Sequence, residues 1–252
     1  MASTTTQPSS GSLEFDKLRD HLATNPTVRK EMENAFAFLL ARANPSDRAA
    51  RFVVGGAVEW IVAAAAWSAK VLTVPGGHNA NGFDLTDLLN QAKGLWSVKF
   101  GSQKRPSDWR LTNGLGGAGK GFVDPTIFVH KRLGGLLYVD PATNPAIVSQ
   151  VVNDGDASKL AFKVTEDFAA AHPECVALVD VPINEGQAAN DPHAFVKDLL
   201  SPATFPNLAK VFVDATPVPR SVSDEIRELT SLRDSGVLTD SQLKSAIDKL
   251  LA

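Results

Sequence analysis

The sequence is poor in cysteine and has no excess of basic residues. Its single cysteine, Cys175, cannot form an internal disulfide, and its place in the apolar run 175–181 predicts a buried structural thiol in a reducing, cytoplasmic setting. The net charge at pH 7 is −3. The chain therefore has no overall positive field, and any nucleic-acid-binding surface has to be a local patch.

A hydrophobic run long enough to cross a bilayer is also missing. The most apolar stretch, 52–67, is shorter than the ~20 residues that a spanning helix needs, and it contains Gly55, Gly56 and Glu59. It predicts a buried helix packed closely on a sheet, and no membrane association. Residues 1–12 are small and polar without the apolar core of a signal peptide, which predicts a disordered tail.

What the sequence does contain is typical of a globular protein, with 44% hydrophobic and 21% charged residues. Apolar periodicity, caps and breakers predict an α/β domain over residues 13–215. Helices are predicted at Leu13–Ala23, Val28–Ala43, Ser46 to about Lys70, Pro145–Val152, Ala157–Ala171 and Ala194–Leu200. Strands are predicted at Lys70–Val74, Phe83–Leu89, Leu95–Phe100, Thr126–His130, Leu136–Asp140, Cys175–Val181 and Lys210–Asp214.

Three charged residues in apolar surroundings are the candidates for a catalytic site. Asp84 interrupts one predicted strand, and Lys99 lies on the next strand, on the same face as Ser97. Glu59 lies in the apolar helix before them. Two of them have a simpler explanation, because a strand lysine can belong to a solvated face and a buried glutamate can form a salt bridge. A Glu and an Asp brought together would also suit Mg²⁺.

These residues resemble the motifs of the PD-(D/E)xK nuclease superfamily. Glu59 matches the helix glutamate, Asp84 the first acid, and Ser97-Val98-Lys99 the second motif, in the Ser-x-Lys form of some restriction enzymes. The resemblance implies a restriction-endonuclease-like mixed β-sheet flanked by helices and a metal-dependent DNA endonuclease with a restriction or phage-defence role. It further implies that Glu59, Asp84, Ser97 and Lys99 are catalytic, with Mg²⁺ or Mn²⁺ held by Glu59 and Asp84.

Ser97 leaves a second function open. Most members of the superfamily have an acid two residues before the lysine, so Ser97 is also compatible with a protein that kept the fold and lost the activity. Such a protein would be a nucleic-acid-binding or protein-binding module.

The segment after Lys99 has the composition of a DNA-contact loop, because basic and amide side chains are interleaved with Trp109 and several glycines. An ordinary solvated loop is the alternative. The predicted DNA contacts are Gln103, Lys104, Arg105, Arg110, Asn113 and Lys120. The GxxxxGK pattern at 114–120 is not a phosphate loop, since Gly121 replaces Ser or Thr and the flanking strand and helix are missing.

The last part of the chain forms a separate module. A Thr-Pro-Val-Pro spacer, 216–219, precedes two amphipathic helices at 221–252 that resemble the SHOCT-type C-terminal hairpin of bacterial and phage proteins. Their apolar stripes are too large to be buried within thirty or so residues. The rigid spacer disfavours packing back as a lid, so the hairpin predicts a homo-oligomer.

Overall fold

The computed structural model describes residues 8–43, 48–73, 85–87, 95–111, 122–154, 157–183 and 201–211. The chain divides into two compact units, Met1–Val211 and Phe212–Ala252. The predicted helix 194–200 and the predicted C-terminal hairpin lie outside the described residues. In the described part of the chain, no helix combines the length and the apolar character needed to cross a bilayer.

In the described part of the chain, three helices come first and are followed by short strands, with two further helices among the last of them, which makes the first unit a mixed α/β domain. The helices are α1 (Leu13–Thr24), α2 (Pro26–Arg42), α3 (Arg48–Ser68), α4 (Pro145–Val148) and α5 (Phe162–Ala171). The strands are β1 (Leu72–Thr73), β2 (Leu85–Asp87), β3 (Leu95–Phe100), β4 (Asp108–Arg110), β5 (Thr126–His130), β6 (Gly135–Val139), β7 (Val152–Asp154), β8 (Ala157–Ala161) and β9 (Val176–Leu178).

The structure confirms the first two predicted helices, α1 and α2. In each of them, a side chain accepts a hydrogen bond from a backbone amide of the first turn. Ser12 accepts a hydrogen bond from the Phe15 amide, and Asn25 accepts one from the Val28 amide, with Pro26 at the first helical position. Each such cap contributes about 1 kcal/mol. Residues 8–12, at the end of the predicted disordered tail, make specific contacts: the Ser9 hydroxyl donates to the Asp16 carboxylate over 2.6 Å.

Six of the described strands form the main sheet, in the order β1-β2-β3-β5-β6-β9, and β3 and β5 run parallel to each other. Helices cover one face. The ring of Phe15 on α1 stacks on Tyr138 of β6 at 5.2 Å, and Tyr138 contacts Trp96 of β3 at 4.9 Å. Helix α3 packs against α1, α2 and β3 in this layer. The predicted mixed sheet flanked by helices is thus confirmed, as is the β5–β6 hairpin.

A second, three-stranded sheet in the order β4-β8-β7 covers the opposite face together with α5. Trp109 of β4 packs on Phe128 of β5 at 5.0 Å and on Phe162 of α5 at 5.3 Å. Its indole Nε1–H donates to the Thr165 hydroxyl over 2.9 Å. Strand β5 is therefore buried on both faces, as is β6.

Four of the predicted elements need correction. Residues 157–161 are strand β8 instead of the start of a helix, and α4 ends at Val148, so that residues 152–154 form β7. Strand β9 is short and lies at the end of the described strand order, with Leu178 71% exposed, whereas a buried strand was predicted. Lys210 and Val211 have helical backbone where a strand was predicted.

Candidate functional site

Strand β3 places Ser97 and Lys99 side by side on one face of the main sheet. Trp96 and Val98, 3% and 6% exposed, alternate with them and point to the opposite face. In the parallel pairing with β5, Ser97 is in register with Thr126 and Lys99 with Phe128. Both Ser97 and Lys99 are half-buried. Lys99 therefore lies on the same face of the sheet as the buried Phe128, directly beside it on the neighbouring strand.

The predicted glutamate, Glu59, belongs to the helix layer on the other face of the sheet. It is half-buried on α3, between the fully buried Val58 and Ile61. Helix α3 belongs to the layer on the Trp96 face, and Ser97 and Lys99 lie on the reverse face. Glu59 and Lys99 therefore lie on opposite sides of the sheet. Their side chains would have to meet around an edge of the sheet or between its strands.

The predicted aspartate, Asp84, lies outside the described residues, directly before β2. Strand β2 pairs antiparallel with β3, and Leu85 is in register with Trp96. Strand β2, which follows Asp84 in the chain, therefore lies beside β3. Convergence of Asp84, Glu59 and Lys99 stays a prediction.

Of the two predicted metal ligands, Glu59 is the one that lies among the described residues. These residues contain no group of three or more His, Cys, Asp or Glu side chains that could hold a metal ion. The other predicted ligand, Asp84, is not among them. Mg²⁺ or Mn²⁺ binding therefore stays a prediction as well.

The basic segment that follows β3 is partly a loop and partly a strand. Gln103, Lys104 and Arg105 are exposed in the turn after β3, and Arg110 is exposed at the end of β4. The remaining predicted contacts, Asn113 and Lys120, lie outside the described residues. The prediction of one loop from β3 to residue 122 is wrong, because β4 pairs with β8.

Trp109 does not lie on this basic surface. The sequence suggested an aromatic side chain interleaved with the cations, but the Trp109 side chain is 4% exposed and its Nε1–H is bonded to Thr165. Strand alternation accounts for this, because Asp108 and Arg110 are exposed on either side of it. A nucleic-acid base therefore has no access to the indole ring in this fold.

His130 has a structural role that the sequence did not reveal. Its side chain is fully buried, and its Nδ1 accepts a hydrogen bond from the Arg132 amide over 3.0 Å. The hydrogen must therefore be on Nε2, which donates to the Gln103 carbonyl over 2.9 Å. Burial lowers the pKa of His130. The neutral ring thus fixes the backbone at the start of the basic segment.

Cys175 and the His172–Glu174 pair lie at the β9 end of the sheet. Burial raises the pKa of the Cys175 thiol to about 11, so the thiol is protonated at neutral pH and is not an activated nucleophile. His172 contacts the Glu174 carboxylate over 3.0 Å. The predicted buried thiol is confirmed.

A cleft of about 610 Å³ lies between α1, α5 and β9. Its charged side chains are already engaged with protein groups. The Arg132 guanidinium contacts Glu166 at 2.8 Å, and Arg19 contacts Asp16 at 3.1 Å and donates to the Glu174 carbonyl. The charged side chains of the cleft are thus paired within the protein. The cleft lies near β9, at the opposite end of the strand order from β1.

No family model, curated protein or solved structure matches the chain. The resemblance to PD-(D/E)xK nucleases, and that of the C-terminal segment to the SHOCT hairpin, therefore rest on the residues quoted above.

Proposed function

We propose that the protein is a metal-dependent endonuclease that hydrolyses DNA, with a restriction-endonuclease-like arrangement of its mixed sheet. The observation that carries the proposal is the position of Lys99. It shares a face of β3 with Ser97, and β3 pairs with β2, directly after Asp84 in the chain. Exposed Lys104 and Arg105 follow where β3 ends.

In this proposal, Lys99 orients the attacking water and stabilises the negative charge that develops on the scissile phosphate. Lys104 and Arg105 bind flanking phosphates and so position the backbone. Mg²⁺ or Mn²⁺ is assigned to Asp84 and Glu59 because carboxylate oxygens are the ligands that these ions prefer. Ser97 contributes a hydroxyl where related motifs have an acid.

A binding module without catalytic activity is the second candidate. The specific observation in its favour is that Glu59 and Lys99 start from opposite faces of the sheet. In that case the basic surface binds nucleic acid, and no divalent ion is required.

The decisive experiment incubates the purified protein with plasmid DNA in Mg²⁺, Mn²⁺ or EDTA and follows nicking and linearisation. We expect metal-dependent cleavage, and we expect Asp84→Asn and Lys99→Ala each to lower its rate by about two to three orders of magnitude. Lys30→Ala is the control, because this lysine on α2 is 68% exposed and belongs to neither predicted surface.

Circular dichroism must show that both variants remain folded. A folded Lys99→Ala protein that cuts at the wild-type rate would rule out this site. DNA binding without cleavage in any metal ion would identify the binding module instead.

A further inference from the structure

We propose that His130 is a pH-operated cap of the 3₁₀ turn Lys131–Leu133, which joins β5 to β6. The neutral ring holds the turn in place. Protonation of the ring releases the turn and so moves one wall of the cleft of about 610 Å³ beside it. The inference goes beyond the proposed function and holds whether or not the protein cleaves DNA.

His130 occupies the N-cap position of the turn. Its backbone is extended, with φ −164° and ψ 145°, and its Nδ1 accepts the hydrogen bond of the Arg132 amide over 3.0 Å. The commonest caps are Ser, Thr, Asp and Asn, whose oxygens still accept a hydrogen bond in weak acid. A histidine differs from them, because a protonated Nδ1 carries a hydrogen and no longer accepts one. Protonation therefore removes the cap and sets two N–H groups against each other.

The other ring nitrogen keeps its bond when the ring is protonated. The Nε2–H donates to the Gln103 carbonyl over 2.9 Å, and an imidazolium donates there more strongly because the bond becomes charge-assisted. The rings of Trp109 and Phe162 enclose the imidazole. The backbone of Gly101 lies so close that an added Cβ would be 3.1 Å from the His130 Cδ2. The ring therefore stays with Gln103, and the turn is the part that gives way.

The charged groups that act on the ring come from the turn and from α5. Burial lowers the pKa of His130 most, while the Gln103 carbonyl raises it, the Arg132 guanidinium lowers it and the Glu166 carboxylate raises it. Arg132 and Glu166 form an ion pair at 2.8 Å, so their effects oppose each other. Strand β4 and the end of β3 present the uncharged Trp109 and Gly101. An imidazolium would repel the Arg132 guanidinium, which adds to the lost hydrogen bond in moving the turn.

Release of the turn is local, because β5 and β6 are joined through their backbones and the imidazole ring is not part of that ladder. The turn and the glycine after it contribute Arg132, Leu133 and Gly134 to the cleft, and α5 contributes Glu166. Leu133 is 2% exposed, so its side chain marks the packed position of the turn. When the turn moves, Leu133 and the Arg132–Glu166 pair move with it, and the cleft changes shape with pH.

Nuclear magnetic resonance of the full chain tests the cap directly. Release should begin below about pH 6.5, because the released ring takes up a proton at its ordinary pKa and the packed ring only at a lower pKa. Between about pH 7.5 and about pH 5, we expect exchange of the Arg132 amide, corrected for its intrinsic rate, to accelerate by up to about tenfold per pH unit. The Leu133 methyl signals should shift with the same midpoint, while the amides of β5 and β6 keep their protection.

His130→Asn is the matched variant, because asparagine is a strong N-cap that does not titrate. It should keep the Arg132 amide protected at both pH values. His21→Asn replaces another histidine whose pKa is lowered by burial, and it should leave the response of the Arg132 amide unchanged.

Three results would overturn the inference: an Arg132 amide equally protected at both pH values, a pH response that persists in His130→Asn, or a simultaneous loss of protection in the turn, β5 and β6, which would mean general unfolding. If His130→Asn does not fold, the ring-nitrogen signals of the wild type decide. A ring that titrates with a midpoint different from that of the Arg132 amide would show that another group moves the turn.

Discussion

At the scale of single residues, His130 shows how one buried ring can hold two backbone segments together. Its ring bonds the Gln103 carbonyl and the Arg132 amide, and the latter belongs to the 3₁₀ turn Lys131–Leu133. The edges of Trp109 and Phe162 enclose the ring at 6.3 and 4.7 Å. A protonated ring would lose its acceptor nitrogen and place a charge among apolar groups.

This arrangement predicts that stability decreases as the pH falls below the ordinary histidine value of about 6.5. Burial lowers the pKa of His130 in the folded state, so the unfolded chain takes up the proton first. The stabilisation is complete above pH 6.5 and is lost as the pH falls through the folded-state pKa. Urea unfolding at about pH 7.5 and at about pH 5, on either side of that value, measures the loss.

His130→Gln removes the titrating group and should flatten the pH dependence by up to about 1.4 kcal/mol per pH unit. His21 is the comparison, because burial also lowers its pKa while its Nε2 forms a hydrogen bond with the Ser68 hydroxyl. An unchanged pH dependence in the His130 variant would show that the ring is not the group responsible.

Sequence reasoning could identify residues whose role depends on neighbours along the chain, and no others. Ser97 and Lys99 were expected on one face of a strand because alternation alone requires it, and β3 has the predicted bounds. The contacts of His130 and the strand pairing of Lys159 depend on partners far along the chain: Gln103 is 27 residues away from His130, and Lys159 is in register with Arg110. No local pattern contains that information.

At the scale of elements, two glycines have opposite structural roles. Gly135 at the start of β6 has φ +125°, and a Cβ there would lie 2.6 Å from the Val179 amide nitrogen and carbonyl oxygen. It therefore permits the close approach of β6 and the chain after β9. Gly55 lies inside α3, where an added Cβ would meet nothing within 4 Å. The expectation that Gly55 serves close packing on the sheet is not supported.

Gly135→Ala should therefore destabilise the protein by about 1–3 kcal/mol from backbone strain alone, before the contact with Val179 is counted. Gly55→Ala should stabilise it by about 0.5–1 kcal/mol, because alanine restricts the unfolded chain more and favours the helix. Urea midpoints of the two variants should move in opposite directions. A Gly135→Ala protein as stable as the wild type would contradict the close approach.

The elements that were predicted correctly have long or strict patterns. Helices α1 and α2 have caps and several turns of apolar periodicity, and β3, β5 and β6 have five or six residues each. Strand β4 has three residues and a single buried side chain, Trp109, which is too little for a period to be recognised. In β8, the alanines at both ends favoured a helix until pairing with β4 overrode that preference.

At the scale of the whole molecule, we predict that the segment after Pro219 sets the oligomeric state. Its leucine stripes, at the spacing of two amphipathic helices, are too large for so short a segment to bury. Truncation after Pro219 should lower the oligomeric state measured by light scattering and reduce double-strand cutting more than nicking. A full-length variant with Leu243→Ser and Leu250→Ser should behave as the truncation does.

An unchanged oligomeric state in both proteins would mean that the segment does not hold copies of the chain together. It would then have to bind a different partner through the same apolar stripes.

The hydrogen bond between Trp109 and Thr165 spans 56 residues of the chain, and this separation sets an order for synthesis. While the ribosome is still adding the residues after β4, the Trp109 indole has no α5 to cover it. One face of the newly made β5–β6 hairpin is likewise not yet covered by α5. The hairpin, closed by the turn 131–134, is local enough to form early. Burial of its second face must wait until Leu160, Phe162 and Thr165 have emerged, so the newly made chain exposes an aromatic surface through that interval.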